Sequence, residues 1–246
     1  MYTDSLAVVM RQIKTVNGRR MIVLFSRKYG KISAGTSISE SGKNKSALAL
    51  RPYTYGRYEL SKVKDNFYIN GAEVLRSYYR IGEDVDKYLQ ASYVLEFTDK
   101  LLPEGEPAEV LFDLLTEFLS MMEERKQAYG TLVLGYLCQA VAWSGSAPDL
   151  GVCCGCKDAE VRYFSVKDGG LLCEECAGKA DQDRRLIFPV TVDIIDVFNY
   201  LLENPLKNLH ALALREDLEK KVRNILRSYI AYHRGIEQLK SESLIV

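Results

Sequence analysis

Apolar positions change their rhythm about a third of the way along the chain. Before residue 80 they come in short stretches rich in β-branched residues, at 6–13, 21–25, 31–38, 55–63 and 67–74. Polar turn signals separate them, which is the pattern of strands. Val16-Asn17-Gly18-Arg19 places an Asn-Gly pair where a tight hairpin needs one. Lys64-Asp65-Asn66 marks a second hairpin, and Tyr29-Gly30 offers a turn. The continuous run Met21-Ile22-Val23-Leu24-Phe25 suits a strand buried on both faces. Five short strands in so short a span predict a small closed barrel, most simply an OB-fold; an SH3-like barrel satisfies the same pattern.

From about residue 84 the period becomes helical. Val110, Leu111, Leu114, Leu115, Phe118, Leu119 and Met122 recur at three- and four-residue steps, with Pro107 placed for the first turn. The same reasoning predicts helices over 84–102, 131–143, 191–202 and 214–240, the last with Leu218, Val222, Ile225, Tyr229 and Ile236 on one stripe. The resulting class is α+β and multidomain. An OB-fold barrel at 1–80 is followed by a helical domain at 81–246. Residues 151–180 fit neither period, and there the cysteines gather.

Cys153-Cys154-Gly155-Cys156 and Cys173-Glu174-Glu175-Cys176 make two C-x2-C knuckles at the separation of a zinc ribbon. Two intervening residues let both thiolates of a knuckle reach one ion, and two knuckles complete a tetrahedron. The expected ligands are Cys153, Cys156, Cys173 and Cys176, holding one structural Zn²⁺ per chain, because four thiolates leave no open position for water or substrate. Cys154 offers a tighter pair with Cys156; the regular spacing favours Cys153. A redox pair would instead place a single motif at a helix N-terminus after a strand. Cys138, within an apolar helical stretch, reads as a small core residue.

Charge then changes the picture. The net charge of zero conceals a division: residues 1–80 hold 15 Lys+Arg against 5 Asp+Glu, and residues 81–180 hold 8 against 18. A positive field at one end attracts polyanions, although a solvated surface or mutual attraction of the two parts would produce the same count. Arg11, Lys14, Arg19 and Arg20 flank the first hairpin, and Arg27, Lys28 and Lys31 surround the next turn. Lys43 and Lys45 lie in a polar loop, after which Arg51, Tyr53, Tyr55 and Arg57 alternate cations with aromatics. Cations meet phosphates and flat rings meet unstacked bases, so this mixture suits single-stranded nucleic acid with little sequence preference. Any one of these tyrosines serves equally as a half-buried barrel residue.

The chain has no P-loop, no glycine-rich dinucleotide motif, no nucleophile elbow and no zinc-protease motif, so no residue set proposes a reaction and the expectation is a protein that is not an enzyme. Residues 1–20 lack a signal-peptide core, and no apolar run reaches the ~18 residues of a membrane span, which predicts a cytoplasmic protein with reduced thiols.

The order of parts then resembles a known family. Arg27-Lys28-Tyr29-Gly30-Lys31-Ile32-Ser33-Ala34, a polar loop ending in Lys45-Ser46, and Leu50-Arg51-Pro52-Tyr53 lie in the barrel. Cys153-Cys154-Gly155-Cys156, the stretch from Phe164-Ser165 through Gly169-Gly170-Leu171-Leu172-Cys173 to Cys176, and Phe188-Pro189-Val190 follow. This succession resembles the bacterial RecO family of DNA repair and recombination proteins over nearly the whole chain. The resemblance implies an N-terminal OB-fold and a helical domain with an inserted zinc finger at about 151–180. It also implies binding of single- and double-stranded DNA, annealing of complementary strands, and help for RecA on strands coated with single-strand-binding protein. The implied partners are RecR and the C-terminal tail of single-strand-binding protein, in a nucleoid-associated setting. The barrel loop Ser39–Ser46 lacks the arginine-rich stretch common in the family, which shifts the expected contact towards Arg19, Arg20 and Arg51. The expected DNA-contacting set is Lys14, Arg19, Arg20, Lys28, Lys31, Lys43, Lys45, Arg51, Tyr53 and Arg57. Two other classes fit the residues: an RNA- or ribosome-associated binding protein, and a scaffold whose basic module docks an acidic protein. A thiol–disulfide oxidoreductase is the reading that metal content would test.

Overall fold

A computed structural model describes residues 2–14, 20–38, 45–179 and 184–244. Five strands, β1 (Tyr2–Lys14), β2 (Arg20–Ser26), β3 (Gly30–Thr36), β4 (Tyr55–Val63) and β5 (Asn66–Arg76), close into a barrel of order β1-β2-β3-β5-β4. All neighbours are antiparallel except β3 and β5. That topology is the OB-fold. Closure depends on β1 being long enough to pair with β4 in its first half and β2 in its second, with a register shift between Val9 and Arg11 where it bends. Ala7, Val9, Ile22, Leu24, Ile32, Ala34, Tyr58, Leu60 and Ile69 fill the interior, as strand alternation requires. Tyr58 is wholly buried because its hydroxyl donates to the Ala49 carbonyl at 2.6 Å, beside the short helix α1 (Lys45–Leu48).

The outer faces of the strands are not equivalent. Val23 and Phe25 point away from the barrel interior yet are buried, as the unbroken apolar run predicts. The helices α2 (Val85–Leu101) and α3 (Glu109–Glu124) share their unit, and Phe112 of α3 meets Phe25 edge-on at 5.3 Å and Tyr55 at 6.2 Å. Asp84 caps α2 by accepting from the Lys87 amide. The two compact units are Met1–Glu124 with Ser243–Val246, and Arg125–Glu242. The first two long helices thus belong to the compact unit of the barrel.

The second unit is built on α4 (Tyr129–Trp143), buried from Leu132 to Leu134 and from Tyr136 to Cys138 and packed by α6 (Val192–Glu203) and α7 (Glu216–Arg234). Gly135 admits the turn Leu206–Leu209 that follows α6, since a Cβ there would lie 2.3 Å from Leu209 Cδ1. Cys138 is the small core residue expected, and burial pushes its thiol up to about 12. The last helix is shorter than its sequence pattern suggests. Gly235 adopts φ 65° and donates its amide to Ala231, ending α7 before Ile236, because a glycine in the left-handed region is a natural helix stop.

Between α4 and α6 lies the four-cysteine finger: β6 (Tyr163–Ser165), β7 (Gly170–Leu172), α5 (Glu174–Lys179) and β8 (Ile187–Pro189), with strand order β7-β6-β8. Phe164 stacks on Phe198 of α6 at 6.0 Å and meets Tyr229 of α7 at 5.7 Å. His233 Nε2 lies 2.7 Å from the Val166 carbonyl.

Candidate functional site

Each knuckle of the finger is set by its backbone. In the first, the Cys153 amide donates to Asp158 and its carbonyl accepts from Lys157, which takes the left-handed φ of 67° needed to turn the chain back. The second follows β7 directly. Cys173 accepts from the Ala177 amide and opens α5, and the Cys176 amide points at the Cys173 sulfur from 3.5 Å. This is the strand-to-helix position that a redox cysteine pair would occupy, but here it faces the other knuckle.

The Sγ atoms of Cys153, Cys156, Cys173 and Cys176 all lie within 4.8 Å of one another, with Cys156 and Cys173 at 3.6 Å. A tetrahedral ion with bonds of about 2.3 Å requires sulfur–sulfur edges of about 3.8 Å, so the four thiols fit one metal ion. Gly155 completes the cradle: a Cβ there would sit 2.8 Å from Cys176 Sγ. Cys154 turns the other way, with its sulfur against Gly170, where a Cβ would lie 2.6 Å from it and 2.4 Å from the Asp149 carbonyl. It is not among the clustered thiols. The electrostatics are those of a site built for a cation. Burial works to raise Cys153, but the amides of Cys156, Cys173 and Gly155 overcome it and bring that thiol down to about 6. Hydrogen bonding to the neighbouring sulfurs holds Cys176 up at about 12. Four adjacent thiols cannot all ionise without a positive centre among them.

The expected DNA-contacting residues fall in several places. Arg19 and Lys43 lie outside the described residues, as does the Asn17-Gly18 pair expected to form a hairpin turn, although Lys14 pairs with Arg20 on either side of it. Lys45 begins α1, and its side chain is also outside the described part. Lys14 and Arg20 end their strands at one rim of the barrel, where Arg20 donates to the Ile38 carbonyl. Lys28 and Lys31 lie at the opposite end of β2, roughly 20 Å of strand away. Lys28 is exposed and donates to Thr3 Oγ1, while Lys31 is tied to the Asp99 carbonyl at 2.7 Å. Arg51 is exposed in the connection before β4, and Arg57 is exposed on the outer face of β4, directly opposite Glu73. Tyr53 is buried: its hydroxyl bonds Ser92 Oγ at 2.6 Å, its ring meets Tyr88, and burial pushes its pKa above the ordinary phenol value. Its ring is a tether between that connection and α2.

Several barrel cations are matched by carboxylates of α2 and α3. Arg11 pairs with Asp99 at 2.9 Å, Arg76 with Glu123 at 2.8 Å, and Arg27 with Asp113 and Glu109. Part of the charge division along the chain is therefore internal attraction within one unit. Among the described residues, Lys14, Arg51, Arg57 and Lys64 have no carboxylate within salt-bridge distance. Lys64 was missed on sequence, because a turn lysine looks like any solvated one; it sits at the tip of the β4–β5 hairpin with φ 55°.

A closed OB-fold barrel, a helical unit and an inserted finger whose four thiols fit one metal ion define the class of architecture. Comparison with known proteins makes this particular. Residues 82–243, well over half the chain, match the family model described as "Recombination protein O C terminal". The chain belongs to the RecO family. It is 28% identical to the DNA repair protein RecO of Alkaliphilus metalliredigens over 92% of this chain and 91% of that one. It is 26% identical to the DNA repair protein RecO of Thermoanaerobacter sp., over 97% of this chain and 95% of the relative. The DNA repair protein RecO of Myxococcus xanthus is 27% identical over 97% and 94% respectively.

Proposed function

We propose that this chain is a DNA repair and recombination mediator that works by binding, not catalysis. In this reading it holds single- and double-stranded DNA on its barrel, anneals complementary strands and assists RecA on strands coated with single-strand-binding protein. RecR and the C-terminal tail of single-strand-binding protein are its partners, in the cytoplasm. The observation that carries the reading is an OB-fold barrel, in a RecO-family chain, with Lys14 at the end of its β1–β2 hairpin and Lys64 at the tip of its β4–β5 hairpin, at opposite ends of the barrel. OB-folds bind oligonucleotides over strands 2 and 3 and the loops beside them. Among the described residues no helix is long and apolar enough to cross a membrane.

Zn²⁺ is the ion proposed for Cys153, Cys156, Cys173 and Cys176. When bound it supplies a closed, redox-inert crosslink between the two knuckles. The residues themselves anchor the finger, through Phe164, to α6 and α7 of its unit.

A strand-annealing assay on complementary DNA and RNA, with and without single-strand-binding protein, tests the proposal. Faster annealing of coated DNA is the expected result. Failure to bind single-stranded DNA at low salt, or annealing confined to RNA, overturns it.

A further inference from the structure

Directly paired residues on neighbouring strands point to the same side of a sheet. One such row runs around the outside of the barrel: Ile13 of β1, Met21 of β2, Gly35 of β3 and Tyr68 of β5. The row is apolar where outward positions would ordinarily be polar, and it stays open to solvent, with Tyr68 44% and Ile13 37% exposed. Its geometry is specific. A Cβ on Gly35 would lie 3.3 Å from Tyr68 Cδ1, 3.4 Å from Cε1 and 3.7 Å from the Met21 sulfur. The tyrosine ring and the thioether therefore meet over the one strand position that has no side chain. Gly35 has no positive φ to require a glycine, so the absent side chain serves the packing of that ring.

Charge is partitioned around this row. Lys14 and Arg20 follow Ile13 and precede Met21 at one end of it, and Lys64, at the tip of the β4–β5 hairpin, lies four residues before Tyr68 on the other side. The outward carboxylates Asp4 and Glu59, which pair directly with each other, lie on the β1–β4 side of the barrel. The barrel thus offers a flat aromatic surface with Lys14 and Lys64 on either side of it, Asp65 beside Lys64 being the acidic position at the same hairpin tip. A ring held this way suits an unstacked base, with phosphates reaching the flanking lysines. A duplex keeps its bases stacked inside and can use only the cations.

We propose that Tyr68, supported by Gly35, is a base-stacking platform that gives the barrel its preference for single-stranded over duplex DNA. The inference builds on the DNA-binding reading above and assigns the stacking role to Tyr68, not to the buried Tyr53.

The test measures binding of the full chain to a thymidine oligomer, to an abasic oligomer of equal length and charge, and to a duplex, at one low salt concentration. Tyr68→Ala should weaken binding to the thymidine oligomer about tenfold. Its binding to the abasic oligomer and duplex should stay within about twofold. Tyr68→Phe should retain binding, and Gly35→Val should show the same selective loss as Tyr68→Ala. In a Trp143→Phe background, Tyr68→Trp should show fluorescence quenched by the thymidine oligomer and unchanged by the abasic one. Equal losses on all three ligands, or no loss while the unaltered chain binds all of them, would overturn the platform and leave the DNA-binding reading standing. An unaltered chain that binds none of them would sink both.

Discussion

Gly155 sits where any side chain would press on the sulfur of Cys176. Its replacement by alanine forces a Cβ to within 2.8 Å of that atom, so one knuckle must open. Overpacking of this kind costs about 1–3 kcal/mol. Gly155→Ala should purify with less than stoichiometric metal and lose it sooner to a chelator. Cys154→Ser, whose residue faces Gly170 outside the cluster, should keep its metal in full; a matching loss would place Cys154 among the ligands. Protons enter the same site. Cys156 and Cys176 are both held up by their sulfur neighbours, so a cation that binds all four thiolates must displace at least those two protons. The sign follows directly: lower pH favours the protonated, metal-free site. Apparent zinc affinity should fall by about a hundredfold or more per pH unit below neutrality, which a competition titration with a chromophoric chelator will register.

At the scale of elements, Phe112 is the contact through which α3 covers the outer face of β2. It is buried and touches both Phe25 and Tyr55. Phe112→Ala should destabilise this unit by about 3–5 kcal/mol in a denaturant titration. Gly30 has a comparable role in the β2–β3 turn, with φ 66° and a Cβ position 1.8 Å from the Glu106 carbonyl. Alanine there meets both strain and collision with backbone, and a variant as stable as the parent would show the turn free to move away. The elements themselves were readable in advance because their signals are local. Alternating and continuous apolar stretches located the five strands, and three- and four-residue steps located the long helices. Even the double burial of Ile22-Val23-Leu24-Phe25 was written in its unbroken apolar character, though Met21 at the start of the run stays partly open. The end of α7 was less legible: the apolar stripe continues past Gly235, and only the left-handed backbone there shows that the helix stops.

For the whole molecule, the charge division acquires a different meaning once pairing is known. Arg11, Arg27, Lys31 and Arg76 face carboxylates of their own unit, whereas Lys14 and Lys64 do not. Phosphate contacts release counterions, and each one lost lowers the dependence of binding on salt. Lys14→Gln and Lys64→Gln should each reduce the slope of log affinity against log salt by about 0.7–0.9, while Arg27→Gln should leave it unchanged. A reduced slope for Arg27→Gln would mean that its pairing with Asp113 yields to DNA.

The chain's own order of residues was sufficient for the barrel, the helices, the thiol quartet and the family, since each is carried by spacing along a few turns or strands. It could not say which cations remain available or which tyrosine is open. Tyr53 and Tyr68 look alike in a basic, aromatic module. One is drawn beneath α2 by a hydrogen bond to Ser92, and the other lies over Gly35, which its strand neighbours bring to it from more than thirty residues away. Exposure and partnership are properties of closure, because a barrel and its covering helices choose faces that no local pattern records.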